Sequence, residues 1–412
     1  MTVQLVERVA IKPNDPLYAE FDKLCFLSKN LYNSTLYAVR QHYFATGEYL
    51  NYNAVNKVFT NTNQHDYRAL PAKVSKMTQM LVDEAYKSFF ELLKLKRKGE
   101  YDAPISVPKY LHSIKGRQVV YYTKQALSKP KDGFIKLYGT DISISTLGQD
   151  VKFVRLVPMK AKRMIMLEIG YEKELPEAVQ SSCYAALDLG INNLAAVIST
   201  NAAPIIMNGR PLKAINQFYN KELAQVKSEL SSFKDEKGKP RVKSNKTTRL
   251  HAKREDKVMD YMHKASRYVV NHLVSINAST LVVGYNKGWK QDITLSKAVK
   301  QTFIQIPMRK FVELLEYKCA LVGIAVILRE ESYTSKCSFF DDEPVCKHKE
   351  YLGKRTQRGL FKTAAGSYVN ADINGAANIL KKELMKQEAW NERIRLDLVE
   401  ACSKPLASAI NL

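Results

Sequence analysis

Asp188 closes an apolar run, Ala185-Ala186-Leu187, and is followed by Leu189-Gly190 and a second apolar run. A carboxylate at the tip of a buried strand is a hard oxygen donor of the kind that holds Mg²⁺. The same position also suits an aspartate that only closes a turn. Asp372, in Asn370-Ala371-Asp372-Ile373-Asn374-Gly375-Ala376-Ala377-Asn378, opens a helical pattern, where an acid stabilises the first turn. A helix start alone does not call for so many small side chains, and Gly375, Ala376 and Ala377 let such a helix lie close against a sheet. A third apolar run, Thr280-Leu281-Val282-Val283, ends at Gly284-Tyr285 with no acid, whereas the run 324–328 passes directly into Glu330-Glu331. Alternation along a strand lets only one of that pair face the two aspartates, and both also read as exposed strand-end acids. Three converging carboxylates suit a pair of Mg²⁺ ions ~3.5–4 Å apart, which activate a water and stabilise the leaving oxygen in phosphodiester cleavage. The sequence has no Gly-rich phosphate loop and no His-Glu-x-x-His, so nucleotide hydrolysis and zinc proteolysis lack support.

The elements that must position these acids follow from apolar spacing. Residues 184–187, 194–199 and 203–207 read as three closely spaced strands, and 216–277 as a long helical stretch interrupted at Gly238-Lys239-Pro240. Strand 280–283, helix 303–322, strand 324–329 and a helix from Asp372 complete a meander followed by alternating helix and strand, the order of an RNase H-like sheet. Earlier in the chain, residues 2–11 alternate as a strand. Residues 15–100 read as helical, with Phe21, Leu24, Cys25, Leu31 and Tyr32 on one face and Ser28 the one polar residue on that stripe. From Pro104, short apolar runs at 118–122, 151–157 and 164–171 separated by turns imply a small β domain, with 2–11 as its first strand and the helical block inserted. Residues 174–182 read as a linker.

The chain has 412 residues, 45% of them hydrophobic, enough for two or three domains with proper cores. Its 64 Lys and Arg against 41 Asp and Glu leave a net charge of +23, which suits a polyanionic partner, because Lys and Arg neutralise phosphates and release counterions. With 23 Tyr and 15 Phe beside those cations, nucleic acid fits better than a membrane surface. No N-terminal stretch resembles a signal peptide and no apolar run reaches membrane-spanning length. Six irregularly spaced cysteines make no disulfide framework, so a reducing, cytoplasmic compartment is expected.

Taken together, Asp188, Asp372 and the strand order between them resemble the RuvC-type nuclease domain of TnpB (OrfB) proteins, transposon-encoded RNA-guided nucleases related to type V CRISPR effectors. The resemblance covers most of the chain and is strongest in Ala186–Ala195, Phe311–Ser338 and Asn370–Leu380. It implies an α/β multidomain protein in which a β-barrel wedge domain (1–14 and 104–180) carries a helical recognition insertion (15–103). A RuvC-like nuclease domain (181–412) follows, with 337–368 a degenerate target-nucleic-acid-binding insertion. It implies Asp188 and Asp372 as the first and last catalytic acids. The family's usual glutamate corresponds to Gly284-Tyr285 and is missing. In some TnpB clades and the related Fanzor proteins a glutamate before a Thr-Ser-Lys segment takes that role. Glu331, three residues before Thr334-Ser335-Lys336, matches it, so the expected Mg²⁺ ligands are Asp188, Glu331 and Asp372. The family's paired Cys-x-x-Cys motifs are absent, and Cys337 with Cys346-Lys347-His348 falls short of four ligands, so no zinc is expected.

The expected partners are a guide RNA and target double-stranded DNA cleaved beside a short target-adjacent motif. The oligomeric state is open, and a nucleoid-associated bacterial setting is implied. Interleaved basic and aromatic residues at Tyr121, Tyr122 and Lys124 suit RNA contact. Residues 237–257 carry nine Lys and Arg, among them Arg241, Lys243, Lys246 and Arg249, which read as a phosphate-contacting arm or a solvated helix face. Lys354, Arg355 and Arg358 form a further basic cluster. A nuclease-dead descendant that represses transcription by occupying DNA is the rival reading, and a cut-and-rejoin transposase a third.

Overall fold

Residues 2–234, 238, 243–286 and 305–403 are described by the computed structural model, and they fall into two units, Met1–Glu174 and Leu175–Leu412. In the first unit, β1 (Thr2–Ile11) is followed by helices α1 (Tyr18–Thr46), α2 (Tyr52–Asn61), α3 (His65–Arg68) and α4 (Ala72–Arg97). Strands β2 (Val120–Thr123), β3 (Phe134–Lys136), β4 (Ser143–Ser145), β5 (Asp150–Met159) and β6 (Met164–Glu174) then complete it. The apolar stripe of α1 is buried as its spacing predicts. Ser28, buried in that stripe, is satisfied by the carbonyl of Val119 at 2.9 Å and the hydroxyl of Thr78 at 3.1 Å. Gly99 follows α4 at φ +75°, a left-handed conformation that glycine adopts without strain.

The sheet of this unit runs β1-β6-β5-β2, all antiparallel, with β1 paired to β6 along its whole length. The expected barrel does not form among the described residues: β1 and β2 remain the two edges, and β3 and β4 make a separate two-stranded sheet. The helices explain why. Phe21, Leu31, Val82 and Tyr86 from α1 and α4 share one apolar core with Val120, Val154, Leu156 and Ile169, so helices rather than more strands cover the open sheet. The helical block and the sheet are therefore one packed body.

The second unit contains β7 (Tyr184–Leu189), β8 (Asn193–Ser199), β9 (Ile205–Asn208), α5 (Arg210–Ser231), α6 (Asn245–Ser275) and β10 (Thr280–Gly284). Helix α7 (Met308–Ala320), β11 (Ala325–Arg329), β12 (Lys354–Gln357), β13 (Leu360–Lys362), β14 (Tyr368–Asn370), α8 (Ala371–Lys386) and α9 (Glu392–Ser403) follow. The main sheet is ordered β11-β10-β7-β8-β9. The meander β7-β8-β9 is antiparallel, while β10 pairs in parallel with both β7 and β11. Its strands are apolar on both faces because both are covered. Leu187, Leu281 and Val283 pack with α6 and α7, whereas Ala186, Ile198 and Val282 pack with α8 and α9. This layering brings the carboxyl ends of β7, β10 and β11 to one edge, the place where open α/β sheets bind ligands.

Candidate active site

Asp188 lies near the end of β7, paired across to Ala196 of β8. Helix α8 crosses behind it so closely that a Cβ at Gly375 would stand 2.7 Å from Asp188 Oδ2, which is the use of the small residues after Asp372. Crowding by the surrounding protein raises the Asp188 pKa well above the usual carboxylate range, and the charges of Glu331 and Asp372 push it the same way, with Arg355 opposing. Two acids distant in sequence thus act electrostatically on a third.

Asp372 sits in the first turn of α8, where Asn370 caps the helix by accepting from the Asp372 and Ile373 amides at 2.9 and 3.2 Å. Asn193 Nδ2 donates to Asp372 Oδ2 at 2.7 Å, and Arg355 Nη2 reaches Oδ1 at 3.3 Å. The same helix fixes the segment that carries the third acid. Asn378 Nδ2 donates to the carbonyls of Thr334 and Cys337 at 2.9 and 2.7 Å, and Asn374 Nδ2 donates to that of Cys337 at 2.8 Å. Both asparagines are fully buried.

Glu330 and Glu331 leave β11 in different surroundings. Glu330 is exposed. It is held below the usual range chiefly by Lys382 Nζ at 2.6 Å and then by the Ser332 hydroxyl, also at 2.6 Å. Glu331 turns inward, with its amide donating to Asn286 Oδ1 at 2.9 Å and its Oε1 buried without a hydrogen-bond partner. Burial, and to a lesser degree the Glu330 charge, pushes its pKa up to about 7. Gly284 makes the room. A Cβ there would collide with Glu331 Oε1 and stand 2.5 Å from Ile379 Cδ1. The end of β10 that lacks an acid is the surface against which the Glu331 carboxylate packs.

An open cleft of about 610 Å³ exposes Asp188 and Asp372 and is rimmed by Asn193, Arg210, Arg355 and Arg358. Sequence reasoning missed Arg210 and Asn193. Neither stands in a motif that marks it, and their place depends on the β8 pairing and the start of α5. Among the described residues no three His, Cys, Asp or Glu side chains are already gathered as a metal-coordinating group. Donor chemistry nevertheless fits a hard divalent cation. Three carboxylates supply oxygens, one oxygen of Glu331 is buried and unpartnered, and glycines at 284 and 375 leave the carboxylates their space.

A family model described as OrfB_IS605, probable transposase, matches residues 166–290, and one described as Cas12f1-like, TNB domain, matches residues 309–379. The TnpB-like protein ORF457 of Acidianus two-tailed virus is 23% identical over 416 residues, which cover 91% of this chain and 85% of that protein. The chain is thus similar to TnpB (OrfB) proteins over most of its length. The CRISPR-associated endodeoxyribonuclease Cas12f2 of a Micrarchaeota archaeon is 24% identical over 245 residues, covering 57% of this chain but only 43% of that protein. A solved complex of Cas12f1 with sgRNA and target DNA shares the fold, with a TM-score of 0.50 at 13% identity over 88% of this chain and 82% of that one. The virus and the archaeon give no support to the bacterial origin expected above. Among the described residues no helix is long and apolar enough to cross a membrane.

The other predicted contact residues are scattered. Arg355 and Arg358 line the acidic cleft, and Lys354 stands exposed at the start of β12. Lys243 and Arg249 are exposed around the start of α6, Lys246 pairs with Glu229 at 3.1 Å, and Arg241 lies outside the described residues. Tyr121 is half-buried and stacked on Phe153, and Lys124 pairs with Asp150 at 2.7 Å. Tyr122 corrects the expectation for that segment. It is fully buried in the apolar core, where no base reaches its ring, because alternation along β2 turns it away from the face of Tyr121.

The segment 337–353 is held by protein groups. Lys381 Nζ donates to Asp342 Oδ1 at 2.5 Å and to the carbonyls of Asp342 and Glu343 at 3.2 Å each. Glu343 in turn accepts from the amides of Ser338 at 2.6 Å and Leu352 at 3.0 Å. Cys346 Sγ lies 3.4 Å from His348 Nε2, while buried Cys337 directs its thiol to the Cys346 carbonyl.

Proposed function

We propose that this protein is an RNA-guided DNA endonuclease that hydrolyses DNA at the cleft exposing Asp188 and Asp372, with Glu331, held against Gly284, as the third acid. The observation that carries this reading is geometric: Asp188 and Asp372 open into one cleft at the carboxyl edge of an α/β sheet, and Glu331 turns inward from a neighbouring strand end with one carboxylate oxygen buried and unpartnered. The repulsion that Glu331 and Asp372 exert on Asp188 is of the kind a divalent cation relieves. In the proposal the second unit is the RuvC-like nuclease domain. Asp188, Glu331 and Asp372 hold Mg²⁺, which when bound supplies an activated water and stabilises the leaving oxygen.

The chain's own residues perform the remaining tasks. Arg210, Arg355 and Arg358 draw the phosphate backbone into the cleft, since guanidinium groups match phosphate oxygens in fork geometry. Arg355 exchanges Asp372 for the incoming phosphate, which frees a carboxylate oxygen at the moment the substrate arrives. Gly284 gives Glu331 its place, and Asn374 and Asn378 keep the Glu331 segment fixed to the helix that bears Asp372. The open sheet and the helices of the first unit (Met1–Glu174) hold the structured RNA and read a short duplex motif. Base pairing between guide and target supplies most of the sequence specificity. Segment 337–368 assists in holding the target nucleic acid.

The test is cleavage of a guide-matched duplex by protein purified with its RNA, with Mg²⁺ and with EDTA, beside Asp188→Asn. The reading requires cutting by wild type with Mg²⁺ only and none by the variant. Tight, guide-dependent binding without cutting in Mg²⁺ replaces it with the repressor reading.

A further inference from the structure

On α5, Arg210 lines the acidic cleft, and Ala214 and Phe218 follow at intervals of four residues along the same helix face. Ala214, Ile215 and Phe218 form one wall of a second, smaller cavity of about 250 Å³, and Leu250, Lys253 and Lys257 of α6 form the other. Phe218 is 57% exposed although it is a large aromatic beside an apolar floor. Lys253 and Lys257 are exposed at the rim. Arg254 is already engaged. Its Nε donates to Asn216 Oδ1 at 2.7 Å, its Nη2 to the Gln305 carbonyl at 2.6 Å, and its guanidinium lies over the Tyr219 ring. It braces the wall and leaves the two lysines to face a ligand. An open aromatic face flanked by cations, with no acid among the lining residues, matches a nucleobase and its neighbouring phosphates.

We propose that this groove is a binding site for an unpaired stretch of DNA, with one base stacked on Phe218 and the adjoining phosphates held by Lys253 and Lys257. The inference rests on the endonuclease reading for the direction of the strand. From Arg210 to Phe218 is eight residues, about 12 Å of helix, or three to four base steps at about 3.4 Å each. A strand engaged at the acidic cleft therefore reaches the groove within a few nucleotides. Charge favours this occupant over a second copy of the chain, which would bring another +23 against the lysines.

The probe is a fluorescent deoxythymidine oligonucleotide about twelve nucleotides long, bound by the full chain, with a 5-iododeoxyuridine version for photocrosslinking. The site predicts a crosslink to the peptide containing Phe218. Phe218→Ala is expected to weaken binding by about 5- to 150-fold, the range for loss of one base-stacking partner. For the double variant Lys253→Gln, Lys257→Gln the dependence of log affinity on log salt is expected to become shallower by about 1.4, two phosphate contacts at about 0.7 each. Phe218 is exposed, so circular dichroism is expected to be unchanged in Phe218→Ala. Unchanged affinity in Phe218→Ala, with crosslinks only elsewhere, overturns the site. So does a change in sedimentation of the free protein in place of DNA affinity, which assigns the groove to a second copy. A wild type that crosslinks through Phe218 yet never cuts sinks the endonuclease reading and leaves the groove standing, whereas cutting without that crosslink sinks the groove alone.

Discussion

Replacing Gly284 by alanine adds one methyl group where the structure has no space. The new carbon collides with Glu331 Oε1 and lies 2.5 Å from Ile379 Cδ1. Ile379 is fully buried and cannot retreat, so the half-buried Glu331 must give way. Overpacking of this kind costs about 1–3 kcal/mol. Against it stands the cost of keeping Glu331 buried. Its carboxyl rises from 4.5 to about 7, which corresponds to roughly 3 kcal/mol between the two protonation states. At about pH 8 the unfolded chain holds this group ionised, and expelling it to water recovers most of that cost. At about pH 5 the folded state keeps it protonated and there is little to recover. In the absence of divalent cations Gly284→Ala is therefore expected to lose about 1–3 kcal/mol near pH 5 and less than about 1 kcal/mol near pH 8, read by urea denaturation. Single-turnover cleavage is expected to fall about 100-fold, the usual result of an ångström-scale misplacement. Moving the acid back completes the test. Glu331→Ala abolishes cutting, and adding Gly284→Glu to it returns a carboxylate from the neighbouring strand end and restores activity by at least about tenfold. If Gly284→Ala cuts within about threefold of wild type and denatures like it at both pH values, Glu331 does not depend on that space and the relocation argument fails.

Three other outcomes follow from the same contacts. Because the folded-state pKa of Glu331 is raised, its contribution to stability is fully present below about 4.5 and is lost as pH rises through about 7. Glu331→Gln is thus expected to be more stable than wild type by up to about 3 kcal/mol near pH 8 without cations, and equal to it near pH 4, in paired denaturation curves. Lys381→Met leaves two carbonyls without their ammonium partner, while the exposed Asp342 turns to water, and is expected to cost about 1–2 kcal/mol, a fall of roughly 2–8 °C in Tm that added zinc does not reverse. The Tyr122 hydroxyl is buried without a partner, so Tyr122→Phe is expected to leave stability unchanged or raise it by about 1 kcal/mol, with unchanged RNA affinity in filter binding.

The strands and helices that frame the acids were legible because their burial is written in the residues. Runs such as Leu281-Val282-Val283 need two covered faces, and the helices covering them show apolar spacing at 3.6 residues per turn. Even Ser28, an interruption in such a stripe, kept its place by bonding to a carbonyl. Strand β12, Lys-Arg-Thr-Gln, was not legible, since all four residues are exposed and its pairing with β13 rests on backbone hydrogen bonds alone. The barrel was misjudged because strand count and turn spacing do not say whether edges meet, and here helices cover the sheet first. Tyr121 and Tyr122 looked alike in composition, but period-2 alternation put one on a stacked surface and the other in the core. The choice of Glu331 over Glu330 rested on the resemblance to TnpB clades that carry a glutamate before a Thr-Ser-Lys segment. The reason for its inward turn, a glycine on the next strand, required the β10–β11 register.

The most direct test is an anomalous-scattering map from crystals of the protein grown with Mn²⁺ in place of Mg²⁺. The account predicts density within ligand distance of carboxylate oxygens from Asp188, Glu331 and Asp372, with Glu330 still paired to Lys382. Density on Glu330, or none beside Asp188 at saturating Mn²⁺, contradicts it.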